Sequence, residues 1–239
     1  MIGLAVGLLV IAGCGAVAAY AFLAPTSTIF RPVLVRGPAE SGNVVLTFDD
    51  GPTSPFTEQI LDILAERKVP ATFFLCGKNV ERHPEIARRI VREGHTVGNH
   101  TYSHPLLYLR TRKFLAGEID LTQAIIEKVT GVRPSFFRPP YGARWFGLMP
   151  ILKARGLKMV MWSAAGYDWK YRTQAIIKAT LREMRSGSVV LLHDGHERQP
   201  PEKVDRSSTV RALSAIIDAA TDRGLKFVPI EEFTSEAVV

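Results

Sequence analysis

Short apolar runs alternate with amphipathic segments along most of the chain. The run Val44–Phe48 is rich in β-branched residues, whereas residues 57–67 place their apolar side chains at helical spacing. Strands that alternate with helices in this way predict a parallel sheet and an α/β fold. The predicted strands are 44–48, 71–75, 96–98, 135–137, 158–162, 188–192 and 227–230, and the predicted helices are 57–67, 83–93, 114–130, 148–155, 173–185 and 208–223.

The N-terminal residues differ from the rest of the chain because they are almost wholly apolar. The first thirty residues contain no Asp, Glu, Lys or Arg, and residues 2–24 are long enough to span a bilayer as a helix. We therefore expect a hydrophobic helix over 1–24 that acts as a membrane anchor or signal segment. Two alternatives are a cleaved signal peptide, with Ala19-Tyr20-Ala21 as the cleavage site, and a lipoprotein signal at Ile11–Cys14.

A proline- and glycine-rich stretch, residues 25–42, is predicted to be a linker because this composition disfavours both helix and central strand. Residues 43–239 then form one predicted domain. With 239 residues and 46% hydrophobic content, the chain can bury one sizeable core. The net charge of +7 favours an anionic partner, such as nucleic acid, a membrane surface or an acidic cell-wall polymer. The basic residues are scattered, however, so no nucleic-acid partner is expected.

Two adjacent carboxylates, Asp49 and Asp50, follow the first predicted strand, and two histidines four residues apart, His100 and His104, follow the third. One carboxylate with two imidazoles makes a three-ligand set that leaves a divalent metal with open positions, as in catalytic rather than structural sites. On a helical turn the two histidines would share one face. Either aspartate could be the ligand, and the other would then lie where a general base is needed.

Further polar clusters follow later strands. Arg138-Pro139-Pro140-Tyr141-Gly142 is a rigid segment that cannot continue a helix, and Asp168-Trp169 and His193-Asp194 come after it. Most of these clusters fall just after a predicted strand. In (β/α) barrels the carboxyl ends of the strands form the rim where active sites are built.

The order and content of these clusters resemble the five motifs of the polysaccharide deacetylase family, the NodB-homology domain of carbohydrate esterase family 4. The resemblance covers about residues 43–232. It implies a distorted, incomplete (β/α) barrel, here with the N-terminal hydrophobic helix added. It also implies that Asp50, His100 and His104 bind a divalent metal, usually zinc.

The remaining roles also come from the resemblance. Asp49 resembles the general base, and His193 resembles the general acid that protonates the leaving amine. Arg138 resembles the arginine that orients the base, and Asp168 would tune either His193 or Arg138. The Tyr141 main-chain N–H would help to stabilise the oxyanion. Trp169 and Leu191 match positions that wall the pocket for the acetyl methyl group.

The resemblance implies removal of N-acetyl groups from a GlcNAc-containing glycan, such as peptidoglycan or a chitin-like oligomer, with release of acetate. Alternatives are an O-acetylated or lipid-linked sugar as substrate, or a non-catalytic glycan-binding protein on the same fold. The chain departs from the family at Ala165, where an acid often stands three residues before the Asp-Trp pair.

The expected location is membrane-anchored or secreted, with the catalytic domain outside the cytoplasm. The nearest basic residues, Arg31 and Arg36, follow the apolar segment and none precedes it. The positive-inside rule would by itself place the domain in the cytoplasm. A misassigned start codon that removed a basic N-terminal region would resolve this conflict.

Overall fold

A computed structural model describes residues 13, 20, 27, 32–144, 147–196 and 203–235. Within these residues, nine strands form one sheet in which every strand pair is parallel. The strands are β1 (Val33–Leu34), β2 (Asn43–Asp49), β3 (Thr72–Leu75), β4 (Thr96–Asn99), β5 (Phe136–Phe137), β6 (Lys158–Val160), β7 (Ala164–Ala165), β8 (Val189–His193) and β9 (Lys226–Phe227). The helices are α1 (Phe56–Arg67), α2 (Gly77–Arg82), α3 (Pro84–Arg92), α4 (Arg112–Thr130), α5 (Leu148–Ala154), α6 (Thr173–Glu183), α7 (Ser207–Asp222) and α8 (Glu232–Ser235).

The order of the strands requires the sheet to curl. The order is β1-β6-β5-β4-β3-β2-β8-β7, with β9 paired to β2. β6 and β7 are far apart in this order, yet only residues 161–163 join them. An extended link of this length spans at most about 14 Å, whereas six strand spacings in a flat sheet would take about 29 Å. The sheet therefore forms a curled parallel half-barrel, which agrees with the incomplete (β/α) barrel that the family resemblance implies.

The alternation of side chains along β2 separates two parts of the core. Val44, Leu46 and Phe48 are buried in one hydrophobic cluster with helix residues such as Ile60 of α1. Val45, which points to the opposite face, packs in a second cluster with inward-facing residues of the other strands. The helices thus cover the outside of the curled sheet, and the inside is filled by side chains.

The carboxyl ends of the parallel strands meet at one rim. Asp49 is the last residue of β2 and His193 the last residue of β8, and the two are paired in register. Asn99 ends β4 and Arg138 follows β5. The sequence motifs therefore converge on this rim, where (β/α) barrels place their active sites.

The structure confirms the predicted alternation of strands and helices and adds short elements that the pattern does not reveal. α2 precedes the predicted helix at 83–93, and Pro84 separates it from α3 by occupying the first helical position. β1 lies within the predicted linker. Among the described strands it lies at the edge and pairs with β6, which is compatible with neighbouring prolines.

The predicted N-terminal helix falls almost entirely outside the described residues. In the part of the chain that the structure describes, no helix combines the length and the apolar character needed to cross a membrane.

Candidate active site

The acidic pair lies where the chain leaves β2. Successive side chains of a strand point to opposite faces, but Asp50 has a backbone φ of 76°, which turns the chain at this point. The Asn79 side-chain amide donates to the Asp50 carbonyl at 2.6 Å, and the Cys76 N–H donates to the Gly51 carbonyl at 3.0 Å. Both carboxylates are consequently held at the rim, and both residues are buried.

Asp50, His100 and His104 form a compact, buried set of ligand atoms. Oδ1 of Asp50 lies 3.4 Å from Nε2 of His100 and 3.2 Å from Nε2 of His104. One ligand atom from each residue lies within 4.8 Å of the other two. A tetrahedral site with bonds of about 2.0–2.1 Å separates its ligands by about 3.3–3.4 Å, so these spacings suit one small divalent ion.

The two histidines reach this point through a loop rather than on a helical turn. Thr101 and His104 have left-handed backbone conformations, with φ of 67° and 52°. The Asn99 side chain accepts from the Thr101 N–H at 2.9 Å, and the Glu118 carboxylate accepts from two further N–H groups of the loop at 3.0 and 2.8 Å. The expectation of a shared helical face is wrong, because these local bonds bring the imidazoles together instead.

The surroundings of the ligand set fit a cation. Nδ1 of His100 lies 2.7 Å from the Arg138 carbonyl, which can only accept, so Nδ1 carries a proton and Nε2 is directed at Asp50. Oδ1 of Asp50 is buried and accepts no hydrogen bond from the described residues. Burial would raise the pKa of the Asp50 carboxyl, but the adjacent imidazoles of His100 and His104 outweigh it and hold this pKa well below its usual range.

Asp49 lies beside this set and is held by a buried arginine. Nη1 of Arg138 donates to Oδ1 of Asp49 at 2.6 Å and to the Thr47 hydroxyl at 2.7 Å. The second carboxylate oxygen, Oδ2, lies 3.8 Å from Nε2 of His100. One oxygen of Asp49 is thus fixed by the guanidinium, and the other faces the ligand set, where a general base would be placed.

Arg138 is itself fixed on several sides. Its Nη2 donates to the Met161 carbonyl at 3.0 Å and its Nε to the Val160 carbonyl at 3.4 Å. The guanidinium carbon lies 4.1 Å from the centroid of the Phe74 ring. Burial lowers the pKa of the guanidinium, and the charge of Asp49 opposes this shift. Because arginine stays protonated in proteins, Arg138 presents a fixed positive charge to Asp49.

At the end of the neighbouring strand β8, Asp168 binds His193. Oδ1 of Asp168 lies 2.8 Å from Nδ1 of His193, and Oδ2 accepts from the His193 N–H at 2.8 Å and from the Thr209 hydroxyl at 2.8 Å. Burial would lower the pKa of His193, but the Asp168 charge outweighs it and the pKa is raised. Burial would likewise raise the pKa of Asp168, and His193 reverses that shift. Of the two partners left open by the sequence, Asp168 contacts His193.

Two of the predicted substrate-binding residues contact the histidines of the site. The ring of Tyr141 packs edge-on against His104, with centroids 4.6 Å apart, and the ring of Trp169 packs edge-on against His193 at 5.3 Å. Both aromatic residues are exposed, whereas Leu191 is buried within β8, two residues before His193. The two aromatic side chains therefore lie at the surface beside His104 and His193, and Leu191 lies deeper, within β8.

Asp194 is a buried group for which the sequence analysis predicts no role. It is fully buried, and its Oδ2 accepts from the Thr57 hydroxyl at 2.7 Å, while Oδ1 has no partner among the described residues. Burial raises the pKa of this carboxyl to about 7. A Cβ at Gly51 would lie 2.0 Å from Oδ2, so only glycine fits there. Adjacency to His193 was the one sequence signal for Asp194; nothing in the spacing pointed to Thr57.

The sequence matches known proteins over most of its length. The family described as "Polysaccharide deacetylase" matches residues 36–160. The chain is 38% identical over 198 residues to a peptidoglycan-N-acetylglucosamine deacetylase of Bacillus cereus, covering 81% of this chain and 69% of that relative. It is also 38% identical over 196 residues to a chitooligosaccharide deacetylase of Bradyrhizobium sp., covering 80% of this chain and 90% of that relative.

A solved structure of such a deacetylase has a similar fold. The crystal structure of the Bc1960 peptidoglycan N-acetylglucosamine deacetylase superposes with a TM-score of 0.77 at 36% sequence identity, covering 84% of this chain and 92% of that one. The chain belongs to the polysaccharide deacetylase family.

Proposed function

We propose that the protein is a metal-dependent hydrolase that removes N-acetyl groups from a GlcNAc-containing glycan and releases acetate. The observation that carries the proposal is a buried ligand set at a rim that also carries two acid–base groups with different partners. Asp49 is held by Arg138, and His193 is held by Asp168. The relatives named above are deacetylases of such glycans.

The metal would be held by Asp50, His100 and His104, and zinc suits one carboxylate with two imidazoles. A divalent ion bound there would supply Lewis-acid chemistry, lowering the pKa of water and polarising the acetyl carbonyl. The hydrogen bond from His100 to the Arg138 carbonyl orients this imidazole, so its Nε2 is directed at the metal site before a metal binds.

Asp49 is suited to accept the proton of the attacking water. Its Oδ1 accepts from the Arg138 guanidinium, and Oδ2 is left to face the site. Because Arg138 is fixed by two main-chain carbonyls and by Phe74, the orientation of Asp49 does not have to be established during the reaction. We therefore assign Asp49 as the general base.

His193 is suited to donate a proton to the leaving amine. An amide nitrogen is a poor leaving group until it is protonated, and the raised pKa of His193 favours its acid form. Asp168 binds Nδ1, so the other ring nitrogen, Nε2, is the one directed away from Asp168 to act as donor. Base and acid thereby have distinct environments.

The aromatic residues at the rim complete the proposed substrate site. The main-chain N–H of Tyr141 would stabilise the oxyanion that forms on the acetyl carbonyl. Trp169 and Leu191 would line the pocket for the acetyl methyl group. The left-handed conformation of Tyr141, with φ of 58°, is a strained backbone geometry of the kind found at functional sites and supports its assignment.

The proposed location is the outer face of a membrane, to which the apolar residues 2–24 would attach the protein. The length of this segment and its lack of charged residues support the idea. Membrane fractionation, combined with protease accessibility of the catalytic domain in intact cells, tests both parts. Recovery of the full-length protein in the soluble cytoplasmic fraction would contradict them.

The central experiment measures acetate release by the full chain from N-acetylglucosamine oligomers, O-acetylated sugars and lipid-linked amino sugars. We expect zinc-dependent release from the N-acetylated oligomers and its loss on addition of a chelator. Release from the O-acetylated or lipid-linked substrate alone would favour the alternative substrates. Glycan binding by metal-loaded protein without any acetate release would favour a non-catalytic role and refute the proposal.

A further inference from the structure

Successive ring contacts connect His193 with Trp169, Tyr167 and Tyr171. Trp169 contacts the His193 ring, Tyr167 contacts Trp169 at 5.3 Å between centroids, and Tyr171 contacts Tyr167 at 6.1 Å. Trp169 is 52% exposed and Tyr171 is 38% exposed. Trp169 already has a proposed role beside His193. No role in the candidate catalytic site explains why Tyr171 is exposed. A contiguous exposed apolar patch rimmed by polar residues marks an interaction site.

The segment that carries these rings is already ordered. The Tyr167 carbonyl accepts from the N–H groups of Lys170 and Tyr171, both at 2.9 Å, and the Tyr167 hydroxyl donates to Glu183 of α6 at 3.1 Å. Asp168, within the same segment, is anchored to His193. A preformed aromatic surface loses little conformational entropy when a ligand binds.

Lys170 adds a positive charge to this surface. Its Nζ lies 5.5 Å from the centroid of the Tyr171 ring, and it forms no ion pair within the part of the chain that the structure describes. The nearby Arg172 differs, because the carboxylate of Asp205 interacts with it. An exposed ring beside an exposed cation presents an apolar face and a charge to the same ligand.

We propose that Tyr171 and Lys170 form a subsite for the sugar next to the one that is deacetylated, and that this neighbouring sugar carries a carboxylate. The Tyr171 ring would pack against the apolar face of the pyranose, and the Lys170 ammonium would attract the carboxylate. The inference rests on the proposed function, because it extends the same site along the glycan. Such a subsite would favour an anionic, peptidoglycan-like glycan over a neutral, chitin-like one.

The test compares N-acetylglucosamine, a neutral chitotetraose and a tetrasaccharide that alternates N-acetylglucosamine with N-acetylmuramic acid. For Tyr171→Ala, kcat/KM on both tetrasaccharides should fall about five- to tenfold relative to that on the monosaccharide, mainly through KM. Tyr171→Phe should restore it. For Lys170→Gln, the preference for the carboxylate-bearing tetrasaccharide over chitotetraose should fall about threefold, and added salt should reduce that preference in the wild type.

Two variants at the opposite end of the sheet serve as controls. Val132→Ala removes a similarly exposed apolar side chain, and Lys158→Gln removes a lysine at the amino end of β6. Both should leave all three rates unchanged. Equal losses on all three substrates for Tyr171→Ala, or an unchanged preference for Lys170→Gln, would overturn the subsite.

Calorimetric binding of the two tetrasaccharides to zinc-loaded protein separates this inference from the proposed function. If the wild type releases no acetate but binds the carboxylate-bearing tetrasaccharide more tightly, and Lys170→Gln removes that difference, the subsite stands and the proposed function fails. If acetate is released while both variants bind like the wild type, the proposed function stands and the subsite fails.

Discussion

Asp168 holds His193 at two points, with Oδ1 2.8 Å from the ring Nδ1 and Oδ2 accepting from the main-chain N–H at 2.8 Å. The carboxylate therefore fixes the orientation of the ring as well as its charge. A histidine that donates a proton needs both, because a rotated or neutral ring would present no proton to the substrate.

Replacing Asp168 by Asn should move the pH dependence of the reaction. The Asp168 charge is what raises the pKa of His193 against the effect of burial, so its loss should lower that pKa. The acid form would then be lost at a lower pH, and the alkaline limb of the kcat/KM profile should shift to lower pH. At alkaline pH the rate should fall about tenfold or more.

The control for this shift is Thr209→Val. That variant removes one hydrogen bond from Asp168 but leaves its charge, so the alkaline limb should move less. An NMR titration of the His193 ring reports the pKa directly. An alkaline limb at the wild-type position in Asp168→Asn would show that Asp168 does not tune the acid.

Asp49→Asn should keep the metal and lose turnover. The ligands Asp50, His100 and His104 remain, whereas the amide cannot accept the proton, and a positioned base typically contributes about 10²–10⁴ in rate. Metal content by atomic emission and kcat from acetate release give the two readouts. Near-normal kcat would remove Asp49 from the role of base, and loss of metal would make it a ligand.

His104→Ala should weaken metal binding by more than about 100-fold, because loss of an outer-shell partner alone costs about 10–100-fold. A competition titration with a zinc-binding dye measures the affinity. His83→Ala is the matched control, since His83 lies outside the ligand set, next to Pro84 at the start of α3. Full zinc occupancy in His104→Ala under dye competition would disprove the assignment.

Asp194→Asn should change how stability depends on pH. The pKa of Asp194 is about 7 in the folded chain against an ordinary value of 3.8, so the folded state retains a proton that the unfolded state loses. The free energy of unfolding of the wild type should therefore fall relative to the Asn variant as pH rises from about 4 to about 7. The full difference is on the order of 4 kcal/mol, and below about pH 4 this contribution disappears.

Urea unfolding of both proteins at several pH values, with chelator present, measures this difference. The chelator keeps the comparison to the metal-free chain, in which the Asp194 pKa is defined by burial and by Thr57. A difference between the two proteins that stays constant from pH 4 to pH 8 would show that Asp194 is not protonated in the folded state.

The sequence predicts the sheet and the convergence of its motifs because both follow from periodicity and strand order. A parallel strand that ends at Asp49 must bring it to the same edge as His193, whatever the details of packing. The apolar run before each motif is enough to locate these strand ends, and the family resemblance then supplies the candidate roles.

Other features depend on tertiary contacts that leave no periodic signal. The loop at His100 is shaped by hydrogen bonds to the side chains of Asn99 in β4 and Glu118 in α4. Because Glu118 is distant in sequence, the spacing of the two histidines alone predicts a helical turn. The pairing of Asp168 with His193 rather than Arg138 depends on how the segment after β7 folds back over β8. The proton on Asp194 follows from complete burial, which spacing along the chain does not reveal.

The three-residue link between β6 and β7 has a consequence for the geometry of the reaction. The carbonyls of Val160 and Met161, at the start of this link, hold the Arg138 guanidinium, which in turn holds Asp49. The path of this short link therefore sets the position of the proposed base. An insertion within residues 161–163 should move the two carbonyls and displace Asp49, so we expect a loss of activity although every active-site side chain and the fold itself are retained.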